Sequence, residues 1–144
     1  RAVPPGISFT DLPKIDLALI SHDHYDHLDK ATVKKLGNAP FYLVPLGVGS
    51  ILRRWGISHF QELDWWAEIV FNKLRLICAP AQHFSGRTPF DRNRTLWAGW
   101  TIIGQKRSVY FGGDSGYFPG FAEIGRRFGP FDLCAARTHL RPML

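Results

Sequence analysis

Long apolar runs are absent from this sequence. None approaches the ~18 residues that a membrane-spanning helix needs, which excludes a helical span of a bilayer within this stretch. The opening residues RAVPPGISFT contain no apolar segment of the kind that marks a secretory signal. They contain no initiator Met either, and the chain is expected to be cut from something longer. Cysteine is scarce. Cys78 and Cys134 are too few for a disulfide scaffold, and each sits in an apolar run, so both are read as buried thiols. No internal repeat, low-complexity tract or Ser/Gly linker breaks the chain, and one domain over 1–144 is expected.

What is present is the material of a globular core. The 144 residues are 45% hydrophobic and 21% charged, enough apolar surface to offset the entropy of ordering the chain. The formal charge of +6 favours anionic partners, whether phosphate esters, nucleic acid or an acidic membrane surface.

Strand-like and helix-like segments alternate. IDLALIS (15–21) is a short aliphatic run with an abrupt polar end, the pattern of a buried strand. Asp29 is placed to cap a helix through Leu36, with Gly37 just past its end. FYLV (41–44) reads as a strand closed by Pro45. Val48, Ile51, Leu52 and Trp55 fall at helical spacing before Gly56. The stretch from Glu68 to Ala79 reads as two strands around a turn at Asn72-Lys73. LWAGWTII (96–103) and SVYFGG (108–113) suit a hairpin. Pro119 opens a helix with Phe121, Ile124 and Phe128 on one face, Gly129-Pro130 stops it, and DLCAA (132–136) starts another strand. Such alternation predicts an α/β sandwich.

The chemistry concentrates in LISHDHYDHLD (19–29). His22, His24 and His27, half of the six histidines, lie there within six positions, with Asp26 among them. In extended backbone alternate side chains share a face, so His22 and His24 can address one ion. A tight turn after them brings Asp26 and His27 toward a neighbouring ion. Imidazole and carboxylate donors suit Zn²⁺ or a similar first-row metal. A position at the end of a buried strand, where α/β sheets open their crevices, suits catalysis.

HDHYDH after an apolar strand resembles the signature of the metallo-β-lactamase fold, and PAQHFSGR (80–87) and FGGDSGY (111–117) follow in matching order. Within that superfamily the chain is most similar to the branch of N-acyl-phosphatidylethanolamine phospholipase D and its bacterial relatives, through ELDWW (62–66), LWAGW (96–100) and GDSGYFPGFAEIGRRFGPFDL (113–133). The resemblance implies an α/β fold of the αββα sandwich type, present here as an incomplete portion truncated at both ends. It implies two metal ions, zinc in the first place and iron or manganese otherwise. His22, His24 and His83 would hold the first ion, Asp26 and His27 the second, with Asp114 bridging on its Gly-flanked turn (Gly112, Gly113, Gly116). Asp26 would also orient the nucleophile, a metal-activated hydroxide, against a phosphodiester.

The family pattern needs one more histidine beyond Asp114. The single downstream histidine, His139, lies in RTHLRPML, which does not match and is not assigned as a ligand; residues 136–144 are expected to be an atypical tail. The expected substrate is a small-molecule or lipid phosphodiester, with peripheral membrane contact and a cytoplasmic or membrane-surface setting. Trp65, Trp66, Phe84 and Trp97 are core residues or the lining of an acyl groove, and Arg87, Arg92 and Arg94 meet a phosphate or form a solvated basic loop. No nucleic-acid partner is expected, since no binding module or aromatic-interleaved basic stripe is visible. The alternatives are a lactonase or ester hydrolase, a nuclease of the same superfamily, or a non-catalytic fragment.

Overall fold

Two sheets face each other, and helices cover their outer sides. The computed structural model describes residues 6–139. The first sheet is parallel, in the order β1 (Leu17–Leu19), β2 (Phe41–Pro45), β3 (Phe60–Leu63). The helices α1 (Lys30–Leu36) and α2 (Val48–Arg54) make the crossovers between its strands. The second sheet runs in the order β4 (Glu68–Phe71), β5 (Leu74–Ala79), β6 (Gly99–Ile103), β7 (Ser108–Gly116), β8 (Leu133–His139). Its first three pairings are antiparallel and β7 pairs with β8 in parallel, with α3 (Gly120–Phe128) between them in sequence.

Side-chain alternation along β2 explains the layering. Tyr42 and Val44 point to one face and pack with Leu28, Val33, Val48, Ile51 and Leu52 of the helical layer. Leu43 points to the other face and meets Leu63, Leu76, Cys78 and Trp100 between the sheets. The outer face of the second sheet buries Ala79 and Tyr110 against Ile124 of α3. The order is therefore helix, sheet, sheet, helix, the expected αββα arrangement. Leu43 and Leu76 are fully buried, each removal from water being favourable by about 1.5–3 kcal/mol.

Local signals act as the sequence suggests at several points. Asp29 caps α1, its carboxylate accepting the Thr32 N–H at 2.7 Å. Asn72 and Lys73 both take positive φ in the two-residue turn joining β4 to β5. Elsewhere the boundaries shift. The strand expected over 15–21 pairs only from Leu17 to Leu19, and β6 starts at Gly99 instead of Leu96. The reason is shared: Leu96 N–H donates to Leu46 O and Ala98 N–H to Ser21 O, so these flanks tie the second sheet to the loops of the first. β3 was not expected. Its edge position and its Gln61-Glu62 pair hide it, and Glu62 instead accepts the Gly49 N–H of α2.

One reading is corrected outright. Cys78 is buried, but Cys134 is exposed. It lies on β8, the edge strand of its sheet, where Leu133 through Ala136 are all exposed. The backbone of β8 continues through Arg137, Thr138 and His139 alongside β7, so the expected tail begins as strand, and residues 140–144 lie outside the described residues. Among the described residues no helix is long and apolar enough to cross a membrane.

Candidate metal centre

The His-rich segment leaves the C-terminal end of β1. Ile20 still donates to Leu43 O, and the chain then passes into the gap between the sheets, where Ser21, His22 and Asp23 are buried. A turn follows in which His27 and Leu28 donate to the His24 carbonyl, and that turn swings Asp26 and His27 round toward His22. The other two candidates arrive from the second sheet. His83 lies beyond β5, next to Gln82, which bridges to Gly116, and Asp114 lies on β7 itself.

Gly113 lets β7 come this close. Its φ is +58°, at a bulge in the pairing with β8, and a Cβ there would lie 2.7 Å from Cβ of Ser21. Any larger residue would push β7 away from the segment that carries His22. Gly112 is crowded from the other side by Ala136 of β8, whereas Gly116 has ordinary contacts.

Five of the six sequence candidates fall in two groups that share His22, and Asp26 stands outside both. Nε2 of His22 lies 2.9 Å from Nδ1 of His24, and Nε2 of His83 lies 3.2 Å from each of them. His22, His27 and Asp114 form the second group, with their ligand atoms within 4.8 Å of one another. Nε2 of His27 is 3.1 Å from Asp114 Oδ2 and 3.5 Å from Asp26 Oδ2. Asp26 lies farther out, its side chain 80% exposed against 16% for Asp114.

The triangle of ring nitrogens fits a cation. A neutral imidazole nitrogen presents either a proton or a lone pair. Among three mutually facing nitrogens at least two must present the same, so hydrogen bonds alone cannot satisfy the triangle. Protonation does not relieve it, because burial, and then the neighbouring His27, His83 and His24, push the His22 pKa down to about 2. Three lone pairs directed at one ion remove the conflict. Donors ~2.0 Å from a tetrahedral ion stand about 3.3 Å apart, close to the spacings here. Ser21 assists, since its Oγ lies 3.0 Å from His22 Nδ1 and can accept that proton, leaving the Nε2 lone pair for the triangle.

One neighbour, Asp23, was not singled out by sequence reasoning, whereas Arg87, Arg94, Phe84 and the tryptophans were. Asp23, between the two histidines, is buried and accepts the Gly86 N–H at 2.8 Å. Arg87 does not stand free to meet a phosphate; its Nη1 donates to the carbonyls of Asp23 and Leu28. Arg94 is exposed and lines a cavity of about 760 Å³ with Arg53 and Arg54, a space bordered by Asp23 but by none of the six candidates. Trp65 and Trp66 pack into the layers, and Trp97 donates to Ala81 O. Phe84 differs from them. It stays 44% exposed, with its ring 4.7 Å from that of His24 and 4.9 Å from that of His83.

A family model, the beta-lactamase superfamily domain, matches residues 1–140. Among curated proteins, an uncharacterized protein of Mycobacterium tuberculosis is 50% identical over 138 residues, covering 92% of this chain and 37% of that protein. The N-acyl-phosphatidylethanolamine-hydrolyzing phospholipase D 1 of Caenorhabditis elegans is 41% identical over 148 residues, covering 94% of this chain and 42% of that protein. The chain thus spans about two fifths of the length of these relatives. Among solved structures, CmlA, a diiron beta-hydroxylase from Streptomyces venezuelae, superposes with a TM-score of 0.75 at 28% identity, over 88% of this chain and 26% of that one.

Proposed function

The chain belongs to the beta-lactamase superfamily domain family, and from that footing we propose that it is the metal-binding portion of a hydrolase acting on a phosphodiester. The substrate of choice is a lipid of the N-acyl-phosphatidylethanolamine type, on which the C. elegans relative acts by its name. The observation that carries the reading is the triangle of His22, His24 and His83 at 2.9–3.2 Å, with His27 and Asp114 grouped around the same His22.

His22, His24 and His83 would hold one ion, Asp26 and His27 the other, and Asp114 would reach both. The imidazole and carboxylate donor set favours zinc. Iron is the second reading, favoured by the similarity to diiron CmlA. When bound, such ions supply Lewis acidity, easing loss of a proton from water and neutralising charge on a phosphoryl oxygen.

The chain's own residues supply the rest. Asp26, open to solvent beside His27, orients the attacking water and accepts its proton. The water oxygen bonds to phosphorus, the P–O bond to the alcohol breaks, and the alcohol leaves with the proton that Asp26 took up. Phe84 gives an apolar lip next to His24 and His83, and the Arg92 guanidinium lies 5.3 Å from its ring centroid. An apolar ring beside a cation suits an amphiphilic anion.

Turnover of bis-p-nitrophenyl phosphate against a simple lactone tests the reaction class. The zinc-loaded chain is expected to cleave the phosphodiester and spare the lactone, and Asp26→Asn to lose roughly 10²–10⁴-fold in rate. The opposite preference would make it a lactonase. Turnover of neither by a metal-loaded, folded sample would overturn the hydrolase reading for this chain.

A further inference from the structure

His83 reaches the triangle from an irregular loop, between the Gln82 bridge and the start of β6, yet it must be placed to a few tenths of an ångström against His22 and His24. The loop is braced internally. Asp91 Oδ1 accepts the N–H groups of Arg87 and Thr88 at 2.9 and 2.7 Å, and the Ser85 hydroxyl donates to Thr95 O at 2.6 Å. Internal bracing alone does not set its distance from the His-rich segment.

That distance is set by two residues that touch no candidate donor atom of the triangle. Arg87 Nη1 donates at 2.6 Å to Asp23 O and at 2.9 Å to Leu28 O, the two ends of the turn that carries His24, Asp26 and His27. Its guanidinium is held over the rings of Tyr25, 4.1 Å away, and Trp55, 5.1 Å away. Beside it, Gly86 at φ +146° aims its N–H at the buried Asp23 carboxylate. A single guanidinium nitrogen thus ties the two ends of one loop's turn while its own backbone belongs to the other loop.

We infer that Arg87, together with Asp23, is a positioning residue for the metal centre, fixing His83 against the His22–His24 pair and closing the turn that presents Asp26 and His27. The inference rests on the metal-binding reading above. Partners that orient metal ligands commonly contribute 10–100-fold in metal affinity, and Arg87 is expected to do the same through the two loops.

Cobalt(II) titration of the metal-stripped chain, followed by its visible absorption against a competing chelator, tests this without turnover. Near-UV circular dichroism of the stripped protein reports folding. Arg87→Met is expected to keep the stripped chain's near-UV spectrum and to weaken cobalt binding about 10–100-fold. Arg87→Lys, which keeps a cationic donor but loses the flat stacked fork, should fall between them. Folded Arg87→Met with wild-type affinity would overturn the inference. Should Arg87→Met fail to fold, folded Arg87→Lys decides, and wild-type affinity there overturns it equally. Wild type that binds no cobalt would instead overturn the metal reading itself, which separates the two failures.

Discussion

His22 is 1% exposed and lies among three other imidazoles, whereas the Asp26 side chain, four residues later on the same segment, is 80% exposed and 3.5 Å from His27. The inner group is braced from every side: Ser21 faces His22 Nδ1, Asp23 holds Gly86, and Arg87 holds the turn. The outer group has its carboxylates at 3.1 and 3.5 Å from one imidazole, Asp114 fixed by β7 and Asp26 by a turn open to water. Preorganised donors bind an ion with little reordering, and a solvent-facing carboxylate can reach a substrate and exchange protons. In the proposed reading one segment thus provides both a rigid anchor and an accessible working group.

The contrast can be broken most strongly at the anchor. His83→Ala removes a corner of the triangle, and metal affinity of the inner group should fall by three orders of magnitude or more, on the order of 4 kcal/mol, read by chelator competition. Asp26→Ala should cost the same group far less. Next in size is Gly113→Ala, which places a Cβ 2.7 Å from Ser21 Cβ at a φ of +58°. A loss of about 1–3 kcal/mol is expected from urea unfolding, together with weaker metal binding, because β7 must withdraw from the site.

Acid separates the groups more gently. The folded chain holds His22 neutral down to about pH 2, while the unfolded chain protonates it below about 6.5. The unfolded state therefore binds the extra proton as pH falls, and metal-free stability decreases from about pH 6.5 downward. His22 contributes at most about a tenfold change in the folding constant per pH unit, and urea midpoints at pH 7.5, 6.5 and 5.5 should lose that part of the slope in His22→Ala. The smallest effect belongs to the outer group: Asp26→Asn should leave stability within about 0.5 kcal/mol of wild type, as expected for an exposed side chain.

Sequence spacing made the first part of this site legible. Alternation in extended backbone put His22 and His24 together, whereas His83 and Asp114 entered only through the family resemblance. Capping by Asp29 and the Asn72-Lys73 turn were equally local and equally readable. What stayed hidden was the bracing between distant loops. Asp23 and Gly86 are 63 positions apart, and Arg87 lies 64 from Asp23, so neither contact leaves a periodic trace. Strand β3 escaped for a related reason, because Glu62 is committed to a backbone N–H of α2 instead of following an apolar alternation. Cys134 was misplaced because an apolar run signals a strand without telling which of its faces is covered.

Metal content per chain, by plasma mass spectrometry on wild type beside a His22→Ala/His24→Ala variant, tests the central claim most directly. The account predicts about two zinc or iron ions per wild-type chain, lost in the variant. A folded wild-type sample with no metal above the variant's background would contradict it.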